Sequence, residues 1–182
     1  MQGRANLAGL LEADSAIGAV AASALGPECV PVRAILFDKT EATNWALGWH
    51  QDRTIVVRER REAPGFGPWT VKSGLQHVAP PTDILARMVT LRVHLDPVPD
   101  DNAPLLVARG SHRLGMISES EVDAVVAGAE ILTCTAARGD IWLYRTLVLH
   151  ASAASTRPAR RRVLQLDYAA APLPHGVEFL GV

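Results

Sequence analysis

Apolar and polar positions change their spacing near residue 30. Residues 5–25 are rich in Ala and Leu, and Gly26-Pro27 ends this stretch, which predicts two short helices. Beyond it, short alternating or wholly apolar runs separated by turn residues predict strands at 30–37, 46–57, 84–95, 105–108, 130–135, 141–144, 147–152 and 162–170. Many short strands with a few helices at one end indicate a mainly β double sheet of jelly-roll type, with short flanking helices at the N-terminus.

The length predicts a single domain over residues 1–182, with a helical flank at 1–28 and a jelly-roll core at 30–170. A short surface helix is predicted at 119–129, where Ser118 or Ser120 supplies the cap. Residues 59–83 are rich in Pro and Gly and predict an irregular loop. Because long loops without structure of their own are usually functional, we expect this one to be a lid or pocket wall.

Composition narrows the classes of partner. Apolar residues make up 48% of the 182 residues, and the net charge is -1, so no overall field favours nucleic acid or an anionic membrane. No stretch has the apolar length of a membrane span. Cys29 and Cys134 are too few and too distant for a disulfide framework. We therefore expect a cytoplasmic protein whose partner is a small molecule.

The candidate chemistry begins with Trp49-His50-Gln51-Asp52, inside the apolar run 46–57. Side chains at i and i+2 of a strand share a face, so a strand here directs His50 and Asp52 into one space. His150 follows the apolar residues Leu147-Val148-Leu149 and offers a third ligand. Two imidazoles and one carboxylate form the facial triad of non-haem Fe(II) oxygenases, with positions open for a chelating cosubstrate and O2. We predict that His50, Asp52 and His150 are that triad.

A cation for the cosubstrate is predicted at Arg161, eleven residues after His150. We expect its strand to pair antiparallel with that of His150. A guanidinium binds a carboxylate through two parallel hydrogen bonds, as the distal end of a dicarboxylate requires. In the cluster Arg157, Arg160, Arg161 and Arg162, a solvated turn with one inward Arg is a better interpretation than a phosphate site, because the net charge is near zero.

Four stretches resemble the phytanoyl-CoA dioxygenase family. Trp49-His50-Gln51-Asp52 matches its His-Gln-Asp segment, and Asn102-Ala103-Pro104-Leu105 is similar to its Asn-Gly-Pro-Leu turn. Residues 110–115 resemble its Pro-Gly-Ser-His-x-x-Gly loop. The segment from Gly139-Asp140 through His150 and Ser152 to Arg161 matches its distal His, Ser and Arg. Two departures, Ala103 for the usual Gly and Arg109 for the usual Pro, concern loop shape and lie outside the triad.

The resemblance implies a double-stranded β-helix and an Fe(II)- and 2-oxoglutarate-dependent dioxygenase. His50, Asp52 and His150 would bind iron, and Arg161 with Ser152 would hold the 2-oxoglutarate carboxylate. O2-dependent decarboxylation to succinate and CO2 would be coupled to oxidation of a C–H bond in a small organic molecule. Related halogenases replace the carboxylate ligand with a small residue, so Asp52 favours hydroxylation or a related oxidation.

Three further residues are candidates for the substrate or cosubstrate pocket: Arg33 and Lys39 as anion partners, and Trp69, in the long loop, as a substrate contact. Two alternatives stay open. One is a cupin-like metal enzyme that does not use 2-oxoglutarate, for which a carboxylate clamp at Arg161 has no purpose. The other is a non-catalytic jelly-roll protein that binds a small molecule without turnover.

Overall fold

The computed structural model describes residues 2–157 and 159–182. The chain divides into two compact units. Unit 1 comprises Met1–Ala34, Arg53–Thr90 and Leu166–Val182, and unit 2 comprises Ile35–Asp52 and Leu91–Gln165. The prediction of a single domain remains a prediction.

The described chain is mainly β, as predicted. Its strands are β1 Val30–Lys39, β2 Leu47–His50, β3 Ile55–Val57, β4 Trp69–Lys72, β5 Leu75–Val78, β6 Val89–His94, β7 Leu105–Ala108, β8 Ile131–Cys134, β9 Ile141–Arg145, β10 His150–Ser152 and β11 Arg161–Ala169. They form sheets of order β1-β11-β6-β9, β2-β10-β7-β8 and β3-β5-β4. The helices are α1 Gln2–Leu11, α2 Gly18–Leu25, α3 Thr82–Ala86 and α4 Val122–Gly128. None of the described helices combines the length and apolar character needed to cross a membrane.

Unit 1 contains the two predicted N-terminal helices. Between α1 and α2, the Oγ of Ser15 accepts the N–H of Gly18 at 3.0 Å, which satisfies one free backbone donor at the start of α2. The buried Tyr168 hydroxyl donates to the carbonyl oxygen of Leu11 at 3.0 Å. This bond ties the end of α1 to β11 and satisfies a polar group that burial would otherwise leave without a partner.

The prediction of an irregular loop at 59–83 is wrong in its second half. Strands β4 and β5 form an antiparallel hairpin there, joined by Ser73 and Gly74, whose φ angles are 50° and 77°. Two consecutive positive φ angles define the tight turn whose twist matches that of the flanking strands. The following segment also differs from its prediction, because α3 occupies the first part of the strand predicted at 84–95 and β6 the rest.

Unit 2 is organised around the sheet β2-β10-β7-β8, in which β10 pairs antiparallel with both β2 and β7. A buried apolar cluster supports it, made of Leu105, Val107, Cys134 and Val148. The helix predicted at 119–129 is present as a 3-10 turn followed by α4. The Ser118 N–H and hydroxyl both bond Glu121, which closes a capping box at its start as expected.

Two further strand predictions are corrected. The run 46–57 is not one strand, because β2 ends at His50 and β3 begins at Ile55. The strand of Arg161 does not pair with that of His150: β10 lies between β2 and β7, whereas β11 belongs to the sheet β1-β11-β6-β9. Proximity along the sequence suggested a β10–β11 hairpin, but a jelly roll sends consecutive strands to different sheets.

Candidate metal centre

Cross-strand pairing brings the two predicted histidine ligands together. In the antiparallel pair of β2 and β10, His50 and His150 are Cα partners. Side chains at directly opposed positions of such a pair lie about 4.5–5.5 Å apart at Cβ. The two imidazole centroids are 4.2 Å apart, with the ring planes at 55°. Residues 100 positions apart in the chain therefore occupy one small volume.

The backbone fixes which ring nitrogens face that volume. Nδ1 of His50 lies 2.8 Å from the carbonyl oxygen of Gly48, and Nδ1 of His150 lies 3.0 Å from that of Val148. A carbonyl oxygen only accepts, so in both rings Nδ1 carries the proton and donates. In the neutral form of each ring, Nε2 then carries the lone pair that metal ligation requires.

Asp52 completes the group, although not by the predicted route. It lies two residues beyond the end of β2, so strand alternation does not set its direction. One ligand atom from each of His50, Asp52 and His150 lies within 4.8 Å of the other two. The Nε2 of Gln165 donates to Asp52 Oδ2 across 3.4 Å. The two imidazoles and the carboxylate thus converge as the sequence predicts.

Burial keeps His150 in the neutral form that binds metals. Only 4% of this residue is exposed. Desolvation lowers the pKa of His150 and outweighs the raising effect of the nearby Asp52 carboxylate. Neutral imidazole is the ligating form, so a metal ion displaces no proton from this ring near neutral pH.

Gln51, which lies between His50 and Asp52 in the sequence, holds the surrounding loops together by hydrogen bonds. Its Nε2 donates to the carbonyl oxygens of Gly115 and Leu147 at 2.8 and 2.7 Å. Its Oε1 accepts the N–H of Ile117 at 2.9 Å. This buried amide, with three hydrogen bonds, ties the segment that carries His50 and Asp52 to the chain around Gly115 and Leu147.

Arg161 and Ser152, the predicted carboxylate clamp, converge on a single backbone atom. Arg161 Nη1 and Ser152 Oγ both donate to the carbonyl oxygen of Ala103, at 2.5 and 3.2 Å. Ala103 has a φ of 52°, in the left-handed region, which explains why the resembling family has Gly there. The turn directs this carbonyl at the guanidinium and orients it. Arg161 is buried, its Nε has no hydrogen-bond partner, and burial lowers its pKa to about 10.

The three further pocket candidates fall in different places. Lys39 belongs to unit 2, where its Nζ donates to the carbonyl oxygen of Trp45 at 2.7 Å and lies 4.4 Å from the centroid of that ring. Arg33 and Trp69 belong to unit 1. Arg33 pairs with Asp167 at 3.5 Å, and Trp69 lies under the guanidinium of Arg60, with its own Nε1 buried and unpartnered. Their roles in a pocket remain predictions.

The sequence reasoning missed two buried polar residues in unit 2, Arg92 and Gln165. Arg92 Nη1 donates to Gln165 Oε1 at 2.9 Å, and Gln165 in turn contacts Asp52. A signal was available: Arg92 interrupts the apolar run of β6, and all six residues of that strand are buried. An arginine within a wholly buried strand indicates a group with a specific partner.

This combination of a mainly β, jelly-roll fold with two histidines and one aspartate is the arrangement of non-haem iron oxygenases. The family model for phytanoyl-CoA dioxygenase (PhyH) matches residues 4–163. The chain belongs to this family. No curated protein matches the chain in sequence.

Solved structures agree on the fold. EctD from S. alaskensis with bound Fe aligns at a TM-score of 0.66 and 21% identity, over 93% of this chain and 54% of that one. The structure of EctD with 2-oxoglutarate and 5-hydroxyectoine gives 0.57 and 19%, over 88% and 54%. AviO1 from Streptomyces viridochromogenes Tue57 gives 0.59 and 22%, over 85% and 58%. The chain therefore spans a little more than half the length of these structures.

Proposed function

We propose that this chain is an Fe(II)- and 2-oxoglutarate-dependent dioxygenase that oxidises a C–H bond of a small organic molecule and releases succinate and CO2. The observation that carries the proposal is the convergence of ligand atoms from His50, Asp52 and His150 within 4.8 Å. Membership of the phytanoyl-CoA dioxygenase family supports it. EctD, which has the same fold, is known with Fe and with 2-oxoglutarate bound.

The donor set fits a divalent iron ion. Both histidines have Nδ1 bonded to a backbone carbonyl, which leaves the Nε2 lone pairs of the two rings for a metal. Asp52 supplies the single negative charge of a facial triad. A triad of this kind occupies one face of an octahedral ion, so it leaves room for a chelating cosubstrate.

The surroundings also fit 2-oxoglutarate. Arg161 is a buried cation with a free Nε and no carboxylate partner among the described residues. A buried charge of this kind is costly unless a bound anion neutralises it. The distal carboxylate of the cosubstrate would supply that charge. It would take a second hydrogen bond from Ser152, whose single O–H would turn to it from the carbonyl oxygen of Ala103. Arg161 is already held in place by the carbonyl oxygen of Ala103 and keeps further N–H groups for the carboxylate.

Each residue then has a distinct task. Fe(II) and 2-oxoglutarate, when bound, supply the oxidising chemistry that consumes O2. His50, His150 and Asp52 would hold the metal ion. Arg161 and Ser152 would bind the distal carboxylate of the cosubstrate and so orient the molecule. Gln51 keeps the ligand-bearing segments rigid, so that binding does not have to order them.

Succinate formation over a set of small organic molecules tests the proposal. The protein is supplied with Fe(II), 2-oxoglutarate and O2, and Asp52→Ala serves as the blank because it removes one metal ligand. We expect substrate-dependent succinate above the blank. Succinate at equal rates in both proteins would contradict the proposal, as would oxidation of a substrate by the native protein without 2-oxoglutarate, which would favour a cupin-like enzyme.

A further inference from the structure

Unit 2 buries three cationic side chains, Lys39, Arg92 and Arg161, each between 3% and 7% exposed. In the part of the chain that the structure describes, none of the three forms an ion pair with a carboxylate. Removing a charge from water is costly when no opposite charge replaces the hydration. These residues therefore need either a bound anion or another way to lower their charge.

Two of the three cations are accounted for. On the proposed function, Arg161 binds the distal carboxylate of 2-oxoglutarate. Lys39 can release its proton more readily than an exposed lysine, because burial, together with the charges of Arg161 and Arg92, lowers its pKa to about 8. Its Nζ also bonds the carbonyl oxygen of Trp45. Arg92 has no anion assigned to it, and it cannot lose its charge, because a guanidinium does not deprotonate in proteins.

The contacts of Arg92 leave at least one of its buried N–H donors without an acceptor. Its Nη1 donates to Gln165 Oε1 at 2.9 Å, and its guanidinium carbon lies 5.3 Å from the centroid of the Phe37 ring. Its Nε is buried and has no hydrogen-bond partner. One neutral acceptor and one aromatic face offset only part of the charge of a group that has five N–H donors.

Arg92 also stands close to the metal ligands. Gln165 receives a hydrogen bond from Arg92 through Oε1 and donates one to Asp52 Oδ2 through Nε2. A single side chain therefore separates the guanidinium from the carboxylate ligand. An anion bound by Arg92 would lie within a small molecule's length of the metal.

We propose that Arg92 binds a carboxylate of the primary substrate, so that the substrate class is a small organic acid oxidised at a carbon near its acid group. This rests on the proposed function, since the two carboxylates of 2-oxoglutarate are taken up by the metal and by Arg161. The planar fork of Arg92 suits a carboxylate, and the Gln165 amide beside it holds the guanidinium plane in one orientation.

Acetate and acetamide, which differ in charge and hardly in shape, test this inference. Each is titrated anaerobically into protein that holds Fe(II) and saturating 2-oxoglutarate. The visible charge-transfer band of bound Fe(II) and 2-oxoglutarate shifts when a further molecule binds beside the metal. Thermal stabilisation of the same samples gives a second reading. Arg92→Gln removes the cation, Arg92→Met is the alternative if the first variant does not fold, and Arg109→Gln is the control because it removes an exposed cation of unit 2.

We expect acetate, and not acetamide, to shift the band and stabilise the native protein. In Arg92→Gln the affinity for acetate should fall about ten- to a hundredfold, as for the loss of hydrogen bonds to a charged group. Arg109→Gln should match the native protein. The 2-oxoglutarate affinity of Arg92→Gln should be unchanged.

Several results would overturn the assignment. One is an equal shift of the band, or no shift, with acetate and with acetamide. Another is a shift with acetate that persists in the Arg92 variants. A third is loss of the band because acetate displaces 2-oxoglutarate. Weakened 2-oxoglutarate binding in Arg92→Gln would assign Arg92 to the cosubstrate instead. Absence of the band in the native protein before any probe is added would contradict the proposed function, and this inference with it.

Discussion

The two units treat buried charge in opposite ways. In unit 1, the buried Asp167 accepts a hydrogen bond from Thr90 Oγ1 at 2.9 Å and pairs with Arg33 at 3.5 Å. In unit 2, Lys39, Arg92 and Arg161 are buried without a carboxylate partner among the described residues. The first arrangement is neutralised by the chain itself, whereas the second is not.

This difference separates structure from ligand binding. A charge that the chain neutralises helps to define the fold in the absence of any ligand. A buried charge that the chain leaves unpaired lowers the stability of the free protein and raises its affinity for an anion. The metal ligands and the unpaired cations occur in the same unit, as expected if unit 2 binds the anionic cosubstrate and substrate.

The largest effect is expected from Arg161→Gln. Losing one partner of a buried charge pair should weaken 2-oxoglutarate binding by about 2–5 kcal/mol, or roughly thirtyfold to several thousandfold. Fe(II) binding should persist, since the triad is intact. Anaerobic titration of Fe(II)-loaded protein with 2-oxoglutarate measures this, with Arg109→Gln as the exposed control. Unchanged cosubstrate affinity would favour the cupin-like alternative.

The second prediction concerns Lys39, whose pKa falls from 10.5 to about 8 because the residue is buried. Between these pH values the unfolded chain binds more protons than the folded one, so native stability should rise with pH from about 8 to 10.5. Lys39→Met should therefore be more stable than the native protein at pH 7, by up to about 3 kcal/mol, and the difference should shrink as the pH approaches 10.5.

Urea unfolding at several pH values, without metal or cosubstrate, checks this prediction. The matched control is Lys72→Met, because Lys72 is exposed. It measures the effect of replacing a lysine in contact with solvent, against which the curve of Lys39→Met is compared. If the curves of the native protein and Lys39→Met run parallel between pH 7 and 10, Lys39 does not carry an unfavourable buried charge.

A smaller and opposite effect is expected in unit 1. Asp167→Asn removes the negative charge that Arg33 and Thr90 contact, so it should lower the free energy of unfolding. The loss should be about 1–2 kcal/mol, less than for a fully buried pair because the Arg33 side chain is 21% exposed. In Arg58→Gln, which breaks an exposed pair with Glu178, the loss should stay below about 0.5 kcal/mol. Equal losses in the two variants would remove the contrast between the units.

Much of the fold could be predicted from the sequence, because apolar periodicity and turn residues are local signals. They located α1, α2, β1, β7 and the capped α4. Pairing between strands is not a local signal, and the expected β10–β11 pair was wrong. The β4–β5 hairpin was missed although Trp69-Thr70-Val71-Lys72 alternates apolar and polar residues, because the many Pro and Gly residues around it favoured a loop.

In the site, too, local sequence signals predicted some features and contacts across the fold determined others. The sequence predicted that His50, Asp52 and His150 meet, but the reason given for the first pair was wrong. Asp52 lies beyond the strand, and it is the β2–β10 register that brings the two imidazoles together. Arg92 and Gln165 were missed because their importance depends on contacts across the fold, which a single sequence does not reveal.

The most direct measurement is an anaerobic Fe(II) titration of the native protein and Asp52→Ala with 2-oxoglutarate present. We predict one Fe(II) per chain and a visible charge-transfer band in the native protein. Asp52→Ala should lose affinity by more than the roughly 10–100-fold expected for groups around the ligands. A folded native protein that binds no Fe(II), or an Asp52→Ala variant that binds it equally well, would contradict the assignment of His50, Asp52 and His150 as the metal centre.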